Sequence, residues 1–467
     1  MTAIVWLRRE LRIHDNPPLR AALDHHDAVV PVFCIDDRLL HGRNASGPRA
    51  QFMLECLRDL GASLRERGGG LVVRRGRPEV EIVSLARELG ADTVHTSEDV
   101  SPFARARDDR VARALAGAGV EVRSWPGVFA VDDLGAIRTG SGDPYTVFGP
   151  FHRAWLAEPR RQAGRAPRRL PPLPRALDPG ELPTLAALGL SSQLVEPAGG
   201  GERRARDAVR AFLSRAAAHY DDGRDALGGD GCSRLSPYLR FGCISPRELE
   251  QRLPLGRAGE AYRRQLCWRE FFAQVLLHFP QNSVLEHQER YRRSLRWSRS
   301  RRHFEAWQDG RTGFPIVDAG MRQLRREGWM HNRARLIVGS FLTKHLAIDW
   351  RWGERWFMEM LLDGDEASNN GNWQWIASVG VDPQPVFRRV LSPARQQQRF
   401  DGDGAYVRRY VPELRAVPDR YLAEPARMPL ELQRAVGCVV GRDYPAPIVD
   451  HAAARRDALA RYRAARS

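Results

Sequence analysis

The sequence has almost no lysine: Lys344 is the only one, and every other residue among its 73 lysines and arginines is an arginine. Cysteine is also scarce. The six cysteines are scattered and form no CxxC pair, which excludes a zinc-ribbon or disulfide framework and indicates reduced thiols in a cytoplasmic protein. Runs of about 18 apolar residues are absent, so no transmembrane helix is predicted. The first residues, Met1 to Leu7, lack the basic and apolar regions of a secretory signal.

Acidic residues are outnumbered, with 57 aspartates and glutamates and a net charge of +16. An excess of this size favours a polyanionic partner such as nucleic acid. A GC-rich genome could explain arginine in place of lysine, but it does not explain the excess of base over acid. Arginine also suits bidentate contacts with phosphate. The 467 residues are enough for two or three domains with sizeable cores.

The N-terminal part alternates short apolar runs with helical patterns. Strands are predicted at 4–7, 29–35, 71–73, 93–95 and 120–122, and amphipathic helices at 49–67, 79–89 and 104–117. Alternation of this kind predicts a doubly wound parallel sheet covered on both faces, an α/β domain over residues 1–130. No GxGxxG motif follows the first strand, so an ordinary dinucleotide site is not expected.

The rest of the chain is predicted to be a linker followed by an all-α domain. Residues 131–201 form the linker, and its part from 158 is rich in proline, glycine and arginine. Helical periodicity dominates from 202 to 467. Nine of the twelve tryptophans lie between Trp268 and Trp375, so stacking or aromatic chemistry is expected in the helical part.

One segment, 363–375, is unusually dense in polar groups and indoles. It contains Asp363 and Asp365, an adjacent pair of asparagines, and the tryptophans Trp373 and Trp375. Burying so many polar groups is costly unless each has a partner, and a large polar aromatic cofactor would supply such partners. The alternative is a polar loop that leads into a core helix.

Three further motifs lie in the helical part. In 231–239, Ser236 is expected to cap a helix that begins at proline, where free N–H groups can hold a phosphate; a plain N-cap is the alternative. In 328–335, a polar cluster begins an apolar helix. In the third motif, Gln265, Trp268 and Arg269 fall on one helical face at i, i+3 and i+4, where they offer a hydrogen-bond donor, a stacking surface and a cation. A core helix with a buried tryptophan is the alternative.

Together the four motifs resemble the photolyase/cryptochrome family, most closely the bacterial class I photolyases that repair cyclobutane pyrimidine dimers. The resemblance extends over nearly the whole chain, from 6–12 through 142–151 and 312–324 to 444–449. It implies an antenna-binding α/β domain at 1–130 and a helical domain at 202–467 that binds FAD and DNA. It also implies blue-light-driven electron transfer from reduced FAD to the dimer, with the cofactor supplying the difficult chemistry.

The resemblance assigns FAD to a set of residues in the helical part. These are Tyr220, Arg224, Cys232, Ser233, Arg234, Leu235, Ser236, Tyr262, Asn332, Arg335, Asp363, Gly364, Asp365 and Asn369. Asn369 would lie next to flavin N5, and Arg335 is expected to pair with Asp363, because a buried carboxylate needs a counter-charge. Most relatives have threonine at the position of Cys232, which puts one hydroxyl contact in question.

The resemblance also assigns the electron relay and the lesion contacts. Trp373, Trp350 and Trp297 match the family's electron-transfer chain, although each can also be a core aromatic residue. A dimer flipped out of the duplex would stack in a pocket lined by Trp268 and Trp375. Further contacts with the lesion or with phosphates are assigned to Gln265, Arg269, Asn332, Arg333, Arg388 and Gln396.

Two positions depart from the dimer-repair pattern. Gln265 stands where bacterial dimer photolyases commonly have glutamate and where 6-4 photolyases and animal cryptochromes have glutamine, and Tyr262 stands where tryptophan is common. Against a 6-4 enzyme, His331 is followed by Asn332, so the expected pair of histidines is missing. Dimer repair is the prediction; a 6-4 photolyase, a cryptochrome photoreceptor and a DNA-binding flavoprotein without repair activity are the alternatives. The short basic tail favours repair.

An antenna chromophore is expected in the N-terminal domain. Arg49 and the segment 98–103, which includes Asp99, resemble relatives that bind a deazaflavin (8-HDF) more than those that bind methenyltetrahydrofolate. An ordinary loop between strand and helix is the alternative. The expected partner is damaged DNA, bound by a monomer with no metal and no membrane association.

Overall fold

The computed structural model describes residues 1–465 and begins with a five-stranded parallel sheet. The strand order is β3-β2-β1-β4-β5. Helices alternate with the strands along the chain: β1 (Thr2–Leu7), α1 (Pro17–His25), β2 (Ala28–Ile35), α2 (Asp37–Leu40), α3 (Gly47–Arg65), β3 (Val72–Arg75), α4 (Pro78–Leu89), β4 (Thr93–Ser97), α5 (Pro102–Ala116) and β5 (Glu121–Trp125). The predicted doubly wound α/β fold is confirmed.

The central strands form because both of their faces are covered. β1 and β2 are buried over almost their whole length, as expected for parallel strands that have helices on each side. Ile4 of β1 lies between Val30 and Val94 of the neighbouring strands. Serine caps start two of the flanking helices, because the Ser46 and Ser101 hydroxyls accept hydrogen bonds from the backbone of α3 and α5.

The predicted linker follows an ordered path over the first part. It contains α6 (Phe148–Ala157) and then an irregular segment with one 3-10 turn, Ala186–Leu188. Backbone hydrogen bonds from Val73 to Pro179 (2.7 Å) and from Leu170 to Arg67 (2.8 Å) tie this segment to the edge of the sheet. The edge strand β3 is thereby covered. The exact domain boundaries remain predictions.

The second part is helical, as predicted. Its α-helices are α7 (Glu202–Arg215), α8 (Tyr220–Gly223), α9 (Ser236–Arg240), α10 (Pro246–Gln251), α11 (Arg257–His278), α12 (Arg290–Ser294), α13 (Arg301–Gln308), α14 (Pro315–Glu327), α15 (Asn332–Ser340), α16 (Trp350–Met360), α17 (Glu366–Ala377), α18 (Pro393–Phe400), α19 (Ala405–Tyr410), α20 (Asp419–Leu422), α21 (Leu430–Ala435) and α22 (His451–Ala464). Single 3-10 turns lie at Ala217–His219, Pro280–Ser283, Val386–Arg389, Pro412–Leu414 and Pro425–Arg427, and a π-helical turn at Phe341–His345.

One hydrophobic core joins the two parts. Phe52 and Leu57 of α3 share it with Val209 of α7 and Phe241 of the helical part. The six cysteines are all free. None of the helices in residues 1–465 is long and apolar enough to cross a membrane. Within the same residues no cluster of side chains is suited to hold a metal ion.

Candidate active site

A cavity of about 320 Å³ opens between α9, α11, α15 and α17. Most of the residues predicted to bind a cofactor or a lesion line it: Tyr220, Cys232, Ser233, Arg234, Leu235, Ser236, Tyr262, Gln265, Trp268, Arg269, Asn332, Arg335, Asp363, Gly364, Asp365, Asn369 and Trp373. Motifs that are far apart in the sequence therefore meet at a single site.

Asp365 fixes the start of α17 and carries a negative charge into the cavity wall. Its carboxylate accepts a hydrogen bond from the Ser368 backbone N–H at 2.9 Å and pairs with Arg9 at 2.7 Å. Burial alone would raise the pKa of Asp365, but the guanidiniums of Arg9, Arg240 and Arg269 outweigh it and hold this pKa well below its usual range. The wall therefore keeps a carboxylate that stays ionised.

The expected ion pair between Arg335 and Asp363 is present. An Arg335 guanidinium N–H donates to Asp363 Oδ2 at 2.7 Å, and the Asp363 side chain is only 5% exposed. The other oxygen, Asp363 Oδ1, is buried on the cavity wall and has no hydrogen-bond partner within residues 1–465. It is free to accept a hydrogen bond from a bound ligand.

Asn369 is oriented by a neighbour that the sequence analysis did not identify. Its Nδ2 donates to the backbone carbonyl of Glu354 at 2.9 Å and to Glu354 Oε1 at 3.2 Å. Both amide hydrogens are used, which leaves the Oδ1 oxygen for a ligand in the cavity. Burial raises the pKa of Glu354.

The expectation that Ser236 caps a helix is wrong. Ser236 is the first residue of α9, the preceding residue Leu235 occupies the cap position, and no side chain caps this five-residue helix. The Ser236 hydroxyl accepts a hydrogen bond from the Trp329 indole at 3.1 Å instead. Nearby, the Ser233 hydroxyl lies 2.8 Å from that of Tyr262.

Cys232 is held between two partners. Its Sγ lies 3.2 Å from His331 Nε2 and 3.5 Å from the carbonyl oxygen of Arg224. Because His331 Nδ1 accepts from the Arg333 backbone at 3.1 Å, a neutral His331 carries its proton on Nε2 and donates it to the sulfur. The thiol is thus hydrogen-bonded to the protein.

The three residues predicted to share one face of α11, Gln265, Trp268 and Arg269, all line the cavity. Trp268 stacks on Phe148, with ring centroids 3.6 Å apart and planes 2° from parallel. Gln265 lines the cavity, and its amide makes no hydrogen bond within the described residues. Arg269 points into the wall, where it donates to the carbonyl oxygens of Val128 and Leu239.

Several predicted site residues do not line this cavity. Trp375 lies beside Arg389, whose guanidinium is 3.9 Å from the ring, and its indole donates to Asp382 at 3.2 Å. Arg333 forms a bidentate pair with Asp225, and Arg388 is exposed. The others outside the lining are Arg224, Gln396, Trp350 and Trp297.

The three tryptophans of the expected relay differ in burial. Trp373 forms part of the cavity wall and is buried, Trp350 is completely buried, and Trp297 is partly exposed. The Trp350 indole donates to Glu286 Oε1 at 3.3 Å. Of the three, Trp373 lines the cavity and Trp297 reaches solvent, and their role as an electron relay stays a prediction.

A second cavity of about 380 Å³ lies at the carboxyl ends of the strands. Arg49 and Asp99, the residues predicted to bind an antenna chromophore, line it, and both are engaged by the protein: Arg49 donates to backbone carbonyls and Asp99 pairs with Arg9 at 3.2 Å. The two cavities share one wall, formed by Arg240, Arg269 and Asp365.

Comparison with known proteins identifies the family. The family model for the FAD-binding domain of DNA photolyase matches residues 262–464, and the DNA photolyase model matches residues 3–175. A deoxyribodipyrimidine photo-lyase of Streptomyces griseus is 44% identical over 97% of this chain and 97% of its own length. The chain belongs to the DNA photolyase family.

Other photolyase-family relatives agree with this assignment. A class III photolyase from Agrobacterium tumefaciens has the same fold, with a TM-score of 0.92, 36% identity, and coverage of 100% of this chain and 98% of that one. A cryptochrome DASH of Natronomonas pharaonis is 36% identical over 96% of this chain and 98% of its own length. The family thus includes proteins named as repair enzymes and as cryptochromes.

The cavity in the FAD-binding domain suits FAD chemically. Asp363 Oδ1 and Asn369 Oδ1 are free acceptors on one wall, and Cys232, Ser233 and Ser236 present small polar groups on another. Apolar walls from Leu266, Phe272 and Ile376 can pack against an aromatic ring system, a combination typical of cofactor sites.

Sequence reasoning missed some of the residues that shape the wall. Arg9 lies in the block 6–12 that carried the resemblance, but nothing in one sequence indicates that it reaches Asp365 at the start of α17. Glu354 and Trp329 likewise act through contacts between different segments: Glu354 of α16 orients Asn369 of α17, and Trp329, in the loop before α15, donates to Ser236 of α9. The only sign in the sequence that these residues belong to the site is the density of charged and aromatic residues around them.

Proposed function

We propose that this protein uses blue light to split cyclobutane pyrimidine dimers in DNA, with FAD bound in the helical cavity. The observation that carries the proposal is the composition of this one cavity. Its lining includes the Arg335–Asp363 pair and Asn369 and also Gln265 and Trp268. Cofactor and lesion can therefore be brought into contact in one space.

Bound in the cavity in its reduced form, FAD would supply the light-driven one-electron chemistry that opens the cyclobutane ring. The protein's own groups position the lesion and stabilise the negative charge on it. Gln265 can donate its amide N–H to a pyrimidine carbonyl and so stabilise negative charge on the dimer at any pH, whereas a glutamate could donate only when protonated. Trp268, fixed by its stacking on Phe148, offers a rigid surface for a flipped base.

The DNA contact is proposed to combine base flipping with phosphate binding. A damaged pair costs less to flip, because the lesion already weakens stacking and pairing. The exposed Arg388 is available for a phosphate, and Arg333, held by Asp225, presents a fixed guanidinium near the rim residue Asn332. Arg269 is too deeply engaged in the wall to serve as a phosphate contact.

The second cavity is proposed to hold an antenna chromophore, with a deazaflavin favoured over methenyltetrahydrofolate. Aromatic and cationic groups surround this space, and the guanidiniums of Arg8 and Arg107 lie 4.7 Å and 5.0 Å from the Trp6 ring. A planar chromophore there would be separated from FAD only by the shared wall. Reconstitution with a deazaflavin should add its absorption band to the action spectrum of repair.

A photoreceptor function is the second candidate, because the cryptochrome DASH of Natronomonas pharaonis matches nearly the whole chain. A 6-4 photolyase is the third, because of Gln265. A monomeric state and a cytoplasmic location remain predictions from the sequence. All three functions require the same FAD site, so the decisive difference is the lesion that disappears.

The test is a repair assay with two substrates. Protein reduced in the dark is mixed with oligonucleotides that carry either a cyclobutane dimer or a 6-4 product, illuminated with blue light, and analysed by chromatography. Loss of the dimer, with a dark control unchanged, supports the proposal. If only the 6-4 product disappears, the substrate assignment is wrong; if neither changes, the proposal of an enzyme is wrong.

A further inference from the structure

Residues 290–302 form an arginine segment with an unusual density of positive charge. Seven of its thirteen residues are arginines, and none is an aspartate or a glutamate. Six of these arginines are exposed and form no ion pair with a carboxylate of residues 1–465: Arg290, Arg293, Arg296, Arg299, Arg301 and Arg302. Only Arg292 has such a partner there, Glu289 at 2.8 Å. The arginine segment therefore presents guanidiniums without a counter-charge to solvent.

Other residues of the arginine segment hold it against the protein. Tyr291 and Leu295 are buried in the hydrophobic core of the helical part. The backbone N–H of Ser298 donates to the carbonyl oxygen of Ala347 at 2.7 Å. Because these anchors face the protein, the six arginines lie on the outer side of an ordered segment.

Folding stability does not account for this charge. Arg301 and Arg302 lie in the first turn of α13, which contains no acidic residue. The start of a helix carries a partial positive charge, so cations are unfavourable there. Repulsion between neighbouring arginines adds to this cost. A surface that breaks these local preferences without compensation inside the protein is expected to serve a function, and the missing counter-charge indicates a polyanionic partner.

The side chains of the arginine segment favour nucleic acid over an acidic protein. The core of a protein interface is apolar, but Leu295, the only aliphatic residue of the segment, is buried. Trp297 is partly exposed, and the guanidinium of Arg461 lies 5.3 Å from its ring. Interfaces with DNA are polar and positively charged, and the planar guanidinium matches the geometry of phosphate.

The arginine segment begins beside the surface that is proposed to bind DNA. The Arg290 guanidinium donates to Gln288 Oε1 at 2.6 Å, and Gln288 Nε2 donates to the carbonyl oxygen of Gly380 at 2.8 Å. Gly380 lies in the chain between Trp375 and the exposed Arg388. None of the six exposed arginines lines either cavity. The segment thus adjoins the expected DNA surface but lies outside the lesion cavity.

We propose that the arginine segment binds backbone phosphates of the DNA that flanks the lesion; the proposal rests on the binding of DNA at the helical cavity in the proposed function. The contact reads no bases, because guanidiniums on an outer surface neutralise the phosphates of any sequence. Affinity should therefore increase when the duplex is extended on the side of the lesion that reaches the segment. The chemistry at a bound dimer should not change.

The experiment compares duplexes that carry one cyclobutane dimer and differ in the length of DNA on each side of it. Fluorescence anisotropy in the dark measures the Kd of FAD-loaded protein and its salt dependence. For a duplex long on both sides, R293Q/R296Q/R299Q should raise the Kd about tenfold or more at about 0.1 M salt. Its salt slope should fall by about 2–3 units, because each lost phosphate contact removes about 0.9. A duplex that ends close to the lesion should bind wild type and variant alike.

R20Q/R203Q/R210Q is the matched control. Its three arginines are also exposed, but each is paired with a carboxylate: Arg20, Arg203 and Arg210. The control therefore loses the same net charge from other surfaces, and it should bind every duplex as wild type does. Bound FAD and the thermal unfolding temperature, measured for every variant, show that the fold is intact.

Chemical modification gives a direct measure of the contact. Phenylglyoxal reacts with exposed arginines, and mass spectrometry identifies the modified peptides. The long duplex should protect Arg293, Arg296 and Arg299 in the wild-type protein, while Arg203 and Arg210 should react equally with and without DNA.

Three results would overturn the inference: a variant that binds the long duplex as tightly as wild type, a control that loses as much affinity as the variant, or no protection of the arginine segment by DNA. Protection by poly-L-glutamate but not by DNA would assign the segment to an acidic protein instead. If only this inference fails, chemically reduced wild type and variant both still repair the dimer under blue light at saturating DNA. If the proposed function fails, neither repairs it.

Discussion

Replacement of Asp365 tests how much this residue, in the wall between the two cavities, contributes to the stability of the protein. The carboxylate caps α17 through Ser368 N–H and pairs with Arg9, and Arg240 lies 3.9 Å away. Asp365→Asn keeps an oxygen that can cap the helix but removes the charge. Asp365→Ala removes both. The two variants therefore separate the stabilisation that comes from the ion pairs of Asp365 with Arg9 and Arg240 from the stabilisation that comes from the helix cap.

The expected losses of folding stability follow from the burial of the ion pair. The side chains of Asp365 and Arg9 are each only 14% exposed, so water screens them weakly. Removing one partner of a buried pair costs about 3–5 kcal/mol, and Asp99 remains beside Arg9, so we expect a loss of about 2–3 kcal/mol for D365N. Loss of the cap should add about 1 kcal/mol in D365A.

The effect should depend on pH with a defined sign. The pKa of Asp365 is below its usual range, so its stabilisation is complete above the ordinary aspartate value of about 3.9 and is lost as the pH falls towards the folded-state pKa. The difference between wild type and D365N should therefore be constant near neutrality and shrink in acid.

Urea unfolding followed by tryptophan fluorescence provides the measurement, with and without saturating FAD, because Asp365 also lines the cofactor cavity. The matched control is Asp450, an exposed residue that caps α22 through the Ala453 backbone. D450N should be nearly neutral and D450A should cost about 1 kcal/mol. If D365N is as mild as D450N, the ion network contributes no net stability and the reasoning is refuted.

Three other variants probe recognition, DNA binding and pH sensitivity. Gln265→Glu should keep lesion binding and change the quantum yield of repair modestly; complete loss of binding would show that Gln265 is misplaced. Arg388→Ala should weaken binding to damaged and undamaged DNA alike and lower the salt dependence by about 1 unit of slope, measured by fluorescence anisotropy. Burial, with His451 beside it, lowers the pKa of His345 to about 3, so the neutral form is favoured on folding and stability is lost as the pH drops below about 6.5. His345→Phe should remove about 2 kcal/mol of the stability difference between pH 7 and pH 5, and an unchanged difference would contradict this.

The N-terminal fold was predictable because its central strands are buried over almost their whole length and its helices alternate with the strands. Runs such as 29–35 and 93–95 could be recognised as strands from composition alone, and each lies within a strand of the sheet. The path of 158–201 was not predictable in the same way. Its contacts with Arg67 and Val73 are backbone hydrogen bonds, which leave no mark on side-chain patterning.

The site was predictable where spacing along one helix decides the geometry. Gln265, Trp268 and Arg269 had to share a face of α11, and all three line the cavity. Spacing did not reveal which way Arg269 points, because its partners are backbone carbonyls of other segments. The cap expected at Ser236 failed for a similar reason, since the hydroxyl is used by an indole from the loop before α15.

The arginine excess serves two purposes that a charge count cannot separate. Four arginines lie in or beside the wall between the cavities, where they donate hydrogen bonds to carboxylates and backbone carbonyls: Arg9, Arg240, Arg269 and Arg49. Such residues add to the net charge of +16 but offer little to a phosphate. Because the salt dependence of DNA binding counts only the phosphates that are neutralised, we expect it to report on exposed residues such as Arg388. We therefore expect stability and DNA affinity to depend on largely separate sets of arginines.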